Sequence, residues 1–185
     1  MDIVLSLTAL LVLSPVLLFI AIRTRFSSRG AVIYAQVRVG QHGVPFVIYK
    51  FRSMYPDAEK DGPALSCDGD PRITPWGKTM RKWKLDELPQ LWNILIGNMS
   101  LVGPRPERQY YIDQLLQVAP EYAILLKAKP GLTSLGMVEF GYASSVPEMA
   151  ARMQYDLEYL NRLSLGLDVS IMLQTLRIIL SGKGK

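Results

Sequence analysis

Two adjacent carboxylates, Asp86 and Glu87, stand in the stretch Lys84-Leu85-Asp86-Glu87-Leu88-Pro89-Gln90-Leu91-Trp92-Asn93, between a basic run and an apolar helical pattern. A helix start of this kind favours negative charge through its dipole and unpaired N–H groups, which would keep Asp86 ionised and ready for nucleophilic attack. Neighbouring residues on a helix point in different directions, so the pair reads as two roles and not as one shared proton transfer. Taken alone, the segment also fits an aspartate that caps a helix beside a solvated glutamate, the commoner use of such residues.

Groups able to hold an anion are spread along the chain. Lys50 and Arg52, two residues apart at the end of a strand-like run, share one face and can grip a phosphate, or simply end a solvated strand. Arg72 and Thr74, in Asp70-Pro71-Arg72-Ile73-Thr74-Pro75, suit phosphate or nucleotide, and equally suit ordinary turn chemistry. Arg105 is held between Pro104 and Pro106, which fix the backbone on both sides and pre-organise its guanidinium for a bidentate phosphate contact, or for packing its stem on the prolines. Asp156, within a helical turn of Tyr155 and Tyr159, either reaches the site or lies on a surface. One cysteine, Cys67, and one histidine, His42, exclude an internal disulfide framework and a zinc site.

The elements that must position these groups begin with an uncharged stretch, Ile3 to Ile22, about long enough to cross a hydrocarbon core. Arg23, Arg25 and Arg29 follow it in place of a cleavage site, so the stretch is expected to stay as an anchor with its downstream flank cytoplasmic. Ser14-Pro15 in its middle implies a bend, and both a kinked span and a re-entrant helix fit. Residues Ala31 to Arg52, rich in Val, Ile, Tyr and Phe on both sides of Gly40-Gln41-His42-Gly43, read as a β-hairpin. Tyr55 to Pro75 is a loop rich in Pro, Gly and Asp, of a kind that closes over ligands. Lys78, Arg81, Lys82 and Lys84 interleave with Trp76 and Trp83 as in helices lying in a headgroup layer. Helices are expected from about Glu107 to Lys127 with a break at Pro120, from the capping box Ser145-Val146-Pro147-Glu148 to about Leu163, and from Leu167 to Leu180. The chain has 185 residues and net charge +5, enough for one domain with an appendage. The charge suits nucleic acid, anionic lipid or a phosphorylated substrate. No groove-reading motif is present, and the apolar N-terminus favours lipid.

Three segments in register, Lys50-Phe51-Arg52-Ser53-Met54, Leu85 to Asn93 and Met99-Ser100-Leu101-Val102-Gly103-Pro104-Arg105-Pro106, behind a Ser-Pro-containing apolar helix, resemble the bacterial sugar transferases, the small monotopic phosphoglycosyl transferases. The resemblance covers nearly the whole chain. It implies an α+β, mostly helical protein with an N-terminal re-entrant membrane helix bent at Ser14-Pro15, one small β-hairpin and several amphipathic helices on the membrane surface. Residues 1–25 would be the anchor and residues 26–185 the cytosolic catalytic domain. The implied reaction moves a phospho-sugar from a UDP-sugar to a polyprenol phosphate such as undecaprenyl phosphate, releasing UMP.

In that family the aspartate of the Asp-Glu pair is the nucleophile and the glutamate serves Mg²⁺. Asp86 would carry the covalent phospho-sugar, Glu87 would hold the metal, and Lys50, Arg72 and Arg105 would stabilise the phosphoryl group. Arg52, Thr74 and Asp156 complete the substrate-binding set. The expected location is the cytoplasmic face of the bacterial inner membrane; the expected partners are its lipids, a second copy of the chain in a homodimer, and no nucleic acid. A non-catalytic scaffold binding anionic lipid or pathway enzymes is the competing expectation. The chain departs from many relatives where Gly141 is followed by Tyr142 in place of arginine, which leaves the sugar and nucleotide preference open.

Overall fold

The computed structural model describes residues 1–60, 62–67 and 69–182. The apolar stretch forms two helices, α1 (Asp2–Val12) and α2 (Ser14–Ser27), bent by 63°. Pro15 lies in the first turn of α2, where its missing N–H costs nothing, so proline begins the second helix instead of interrupting one. The Ser14 hydroxyl donates to Leu11 O at 2.8 Å and satisfies a carbonyl at the bend.

No single helix among the described residues is long and apolar enough to cross a membrane, whereas the bent pair together has the length and composition to do so. Ile20 of the pair is buried against Phe51 and Met80, but the pair's outer surface is apolar. Ser6 and Thr24 face inward, while Ile3, Val4, Leu11, Val12, Leu18, Phe19 and Phe26 are exposed. Thr24 is partnered by Trp76 Nε1, which donates to its hydroxyl at 3.1 Å. Both ends of the pair return to the body of the protein. Ser100 Oγ donates to Asp2 Oδ2 at 2.6 Å, and the Arg52 guanidinium donates to the carbonyls of Ser28 and Ala31.

The expected hairpin is present as β1 (Ile33–Val39) antiparallel to β2 (Pro45–Phe51), with Tyr34 opposite Lys50. Helices α3 (Pro75–Lys82) and α4 (Gln90–Leu95) follow the loop and hold β2 in place. The buried Asn93 amide donates to Val47 O at 2.7 Å and its oxygen accepts from Tyr49 N at 3.1 Å, a two-point clamp on the strand that delivers Lys50. Ile48, Leu91, Ile94 and Met99 form the apolar layer beneath, closed by Ala9 and Leu10 of α1. Full burial of such a side chain contributes about 2 kcal/mol.

A second pair of strands, β3 (Ser100–Val102) and β4 (Gly131–Thr133), runs parallel. Its length of three residues leaves no alternation for sequence reading to detect. Gly103 and Gly131 lie so close that a Cβ on Gly131 would strike the backbone of Gly103, and one on Gly103 that of Lys129. Glycine in both segments therefore serves close backbone packing, which brings the Pro104-Arg105-Pro106 turn out beside the carboxylates.

The remainder is helical, with α5 (Gln109–Val118) and α6 (Tyr122–Leu125) separated at Pro120 as expected, and then α7 (Leu135–Glu139), α8 (Val146–Asn161) and α9 (Leu165–Leu180). Ser145 caps α8 by accepting from Glu148 N at 3.4 Å, but the Glu148 carboxylate turns to Ser144 N at 2.7 Å, one residue before the position a capping box prescribes. The main core packs Ile112 and Leu115 of α5 against Met149 and Met153 of α8. Ile171 docks α9 on Val102, Leu135 and Tyr159, leaving Leu173, Leu176 and Leu180 exposed. The α+β, mostly helical class is as expected.

Candidate active site

Asp86 and Glu87 sit in a 3-10 turn, Leu85–Glu87, after Lys84, whose φ of +50° turns the chain sharply. The expectation that Asp86 starts the following helix is corrected here. Helix α4 begins at Gln90 with Pro89 before it, so neither carboxylate caps it. The two side chains face a cavity of about 570 Å³ bounded by the hairpin, loop residues 55–60 and 64–66, and the Arg105 turn.

The two carboxylates have different surroundings. Glu87 Oε1 accepts from Lys50 Nζ at 2.8 Å and has Arg105 Nη1 at 3.9 Å, while Oε2 has Lys84 Nζ at 3.9 Å. Burial would push Glu87 up, but these cations outweigh it and hold the group well below the ordinary carboxylate range. Asp86 makes no ion pair within 4 Å among the described residues. Burial, then the charge of Glu87, pushes its carboxyl above the ordinary value, with Lys50 and Arg81 opposing. This is the reverse of a helix terminus holding Asp86 ionised.

Burial lowers both Lys50 and Lys84 from the usual lysine value, against the pull of Glu87. Arg105 goes the other way, since Glu87 and Glu107 overcome the effect of its burial. The ring of Tyr142 lies 5.2 Å from Lys84 Nζ and 5.6 Å from Arg105 Cζ, so an aromatic face receives the two cations that lean on Glu87. Tyr142 thus occupies the wall where an arginine was the expected residue.

The structure gathers Lys50, Asp86, Glu87 and Arg105 and sets the other sequence candidates around them in supporting positions. The Arg52 head is committed to the carbonyls beyond α2, so it does not share an anion with Lys50. Arg72 forms a two-point pair with Asp70 at 2.9 and 2.6 Å and also donates to Leu65 O at 3.1 Å, which staples the loop that forms one cavity wall. Thr74 caps α3 by accepting from Gly77 N at 2.9 Å. Asp156 is buried behind the site and accepts from Gly136 N at 2.8 Å; burial raises its carboxyl, opposed first by that hydrogen bond.

A second layer went unnoticed in the sequence. Glu107 is buried with Arg152 Nη2 at 2.7 Å, Arg38 Nη1 at 3.1 Å and Arg105 Nε at 3.8 Å. At the mouth, Glu59 of the loop accepts from Arg108 at 2.6 Å and from the Tyr34 hydroxyl at 3.1 Å. Arg81 reaches Ser53 Oγ at 3.0 Å and Ser66 Oγ at 2.6 Å, joining α3 to both sides of the loop. Glu107 directly follows the Pro-Arg-Pro turn, and that adjacency was its one signal.

Chemically, the cavity presents one ionised acid that neutralises three cations and one acid open to attack on an electrophile. An entering phosphate would meet Lys50, Arg105 and Arg81. Two adjacent carboxylates also offer hard oxygen donors to a divalent cation of the kind that completes its shell with substrate phosphates and water. Oε2 of Glu87, with only the longer Lys84 contact, is the better placed donor.

A family model described as bacterial sugar transferase matches residues 1–182. The chain is 40% identical over 184 residues to a UDP-N-acetylgalactosamine-undecaprenyl-phosphate N-acetylgalactosaminephosphotransferase of Aeromonas hydrophila, covering 100% of this chain and 44% of that protein. It is 38% identical to a UDP-glucose:undecaprenyl-phosphate glucose-1-phosphate transferase of Caulobacter vibrioides, covering 98% of this chain and 68% of the relative. An exopolysaccharide production protein PSS of Rhizobium leguminosarum bv. phaseoli is 38% identical, with 99% of this chain and 95% of the relative covered. The chain thus spans less than half of the Aeromonas protein and nearly all of the Rhizobium one.

Proposed function

The chain belongs to the bacterial sugar transferase family, and on that premise we propose that it moves a phospho-sugar from a UDP-sugar to a polyprenol phosphate, undecaprenyl phosphate being the expected acceptor. The observation that carries the reading is the division between the two carboxylates. Glu87 absorbs the neighbouring cations, and this leaves Asp86 facing the cavity without an ion pair among the described residues.

In the first displacement an Asp86 carboxylate oxygen attacks the phosphorus that bears the sugar. The bond from that phosphorus to the UMP oxygen breaks, UMP leaves, and an acyl phosphate to the sugar remains on Asp86. In the second, a phosphate oxygen of the polyprenol phosphate attacks the same phosphorus and Asp86 departs as a carboxylate. Lys50 and Arg105 stabilise the charge on the equatorial oxygens, because they are already held in place by Glu87 and need little reorganisation. The raised proton affinity of Asp86 suits a nucleophile, since a more basic carboxylate attacks more readily once ionised. Mg²⁺ belongs to the proposal, held by Glu87 and the donor's phosphates, where it would neutralise the diphosphate.

The membrane arrangement is also proposed. Support for a re-entrant α1–α2 pair, entering and leaving by the cytoplasmic face of the inner membrane, comes from its exposed apolar side chains and from the two ends tied to one body. The Asp2–Ser100 hydrogen bond would be out of reach for a helix whose start lay across the bilayer. Incubating the membrane-solubilised protein with UDP-glucose, UDP-N-acetylgalactosamine and other UDP-sugars, with Mg²⁺ and undecaprenyl phosphate, should release UMP. No UMP from any donor would favour a lipid-binding scaffold.

A further inference from the structure

A smaller cleft of about 200 Å³ is lined by residues of α7 and α9 together with Lys84 and Tyr142. Val138, Phe140 and Ile178 supply apolar walls, Thr175 part of the floor, and Lys84 a cation. Lys84 is only 3.9 Å from Glu87, and Tyr142 lines both cavities. Tyr142 is therefore common to the walls of the cleft and of the Asp86 chamber.

We propose that this cleft seats the phosphate-proximal isoprene end of the lipid acceptor and delivers its phosphate past Lys84 to Asp86. The proposal rests on the transferase reading and adds a binding site to it. A double displacement at one carboxylate must receive a water-soluble diphosphate and a lipid phosphate in turn, and two cavities that share Tyr142 give room for both. The large one is lined by Arg38, Arg81, Arg105 and Arg108, which suits the diphosphate of the nucleotide sugar. The small one combines apolar side chains with one lysine, the chemistry of an isoprenoid monoester.

Its surroundings point to lipid as well. Val169, Leu173, Leu176 and Leu180 form an exposed stripe along α9, and Phe140 is exposed at the cleft. The end of α9 lies against α3, since a Cβ on Gly182 would come within 2.7 Å of Lys82 Cε, and α3 is bound to α2 through Trp76 and Thr24. The cleft thus opens among the helices that leave apolar side chains uncovered. Glu139, the acid lining the cleft, is exposed to solvent and leaves Lys84 as its cationic group.

In the step this site serves, a phosphate dianion oxygen of the acceptor forms a bond to the sugar-bearing phosphorus as the bond from that phosphorus to Asp86 breaks. The electron pair returns to the carboxylate, and no proton needs to move. The products are the diphosphate-linked sugar lipid and free Asp86.

Val138→Trp and Ile178→Trp fill the cleft from opposite walls. Each is assayed in two halves, single-turnover UMP release with UDP-sugar alone, and discharge of the Asp86 adduct by undecaprenyl phosphate in nanodiscs. Discharge should slow by about tenfold or more, the scale on which an apolar subsite enters a rate, against a much smaller change in UMP release. Discharge at the wild-type rate in both variants overturns the proposal. A photoreactive farnesyl phosphate added to the otherwise unaltered Asp86→Asn protein gives a test that does not depend on how the tryptophan variants fold. Labelled peptides from α7 and α9 support the site, and labels confined to α1 and α2 overturn it. Wild-type protein that releases no UMP from any donor would instead bring down the transferase reading itself.

Discussion

Glu107→Gln tests the buried layer that holds the site in shape. The substitution keeps the size of the side chain and one acceptor oxygen but removes the charge facing Arg152 at 2.7 Å and Arg38 at 3.1 Å. Breaking a buried ion pair by neutralising one partner costs about 3–5 kcal/mol. Arg38 retains bonds to Gln36 Oε1 at 3.0 and 2.7 Å and to Pro106 O at 3.2 Å, so part of its guanidinium stays satisfied. We expect a net loss of about 2–3 kcal/mol, below the full cost because glutamine still accepts a hydrogen bond. For a chain of this size that lowers Tm by roughly 5–10 °C. Thermal unfolding in one detergent at fixed protein concentration reads the shift, and the double variant with Arg38→Met should be less destabilised than the sum of the two single variants. Because Glu107 also lies 3.8 Å from Arg105, KM for the UDP-sugar should rise. A Tm within about 1 °C of wild type would refute the reasoning, since two buried guanidiniums would then have lost their counter-charge at no cost.

Asp86→Asn should abolish turnover yet raise Tm. A carboxyl whose proton affinity rises on folding contributes stability that is fully present below its unfolded pKa and lost as pH climbs through the folded value. Above the folded value the wild type has lost that contribution, so the uncharged asparagine is the more stable protein there, and the difference shrinks as pH falls through that value. In a pH–rate profile, the acid limb should titrate above the ordinary aspartate value of 3.8 and the alkaline limb below the ordinary lysine value of 10.5, following the directions for Asp86 and for Lys50 and Lys84. Limbs at the ordinary values would deny the burial that causes both shifts. A cysteine at Asp2, in a Cys67→Ser background, should react with an impermeant maleimide only from the cytoplasmic side of inverted membrane vesicles, and Pro15→Leu should shift labelling to the opposite face. Labelling of the Pro15-containing protein from the far side would show a true crossing.

How much was legible in the sequence depended on how local each cause was. Pro15, Pro120 and Ser145 act within a turn of themselves, so the bend, the broken helix and the start of α8 could be read directly. The hairpin was legible because runs of β-branched and aromatic residues on either side of a Gly-containing turn are a local signal. Asp86, Glu87, Lys50 and Arg105 stood out by type and setting, and they meet in space. The environment of Asp86 was read with the wrong sign because Lys84 adopts a left-handed backbone, which moves the acids into a turn before the helix. The β3–β4 pairing, the commitment of Arg52 to Ser28 and Ala31, and the Glu107 cluster were hidden for another reason. Apart from the neighbouring Arg105 in the Glu107 cluster, each joins residues at least 21 apart in the chain, as with Arg52 and Ala31, and no local pattern encodes such partners.

The most direct test of the central claim is intact-protein and peptide mass spectrometry after a brief incubation with a UDP-sugar and Mg²⁺ in the absence of polyprenol phosphate. Asp86 should gain the mass of the phospho-sugar in step with UMP release, and undecaprenyl phosphate should then remove it. Turnover that survives unchanged in Asp86→Asn, or UMP release with the phospho-sugar found on another residue, would contradict it.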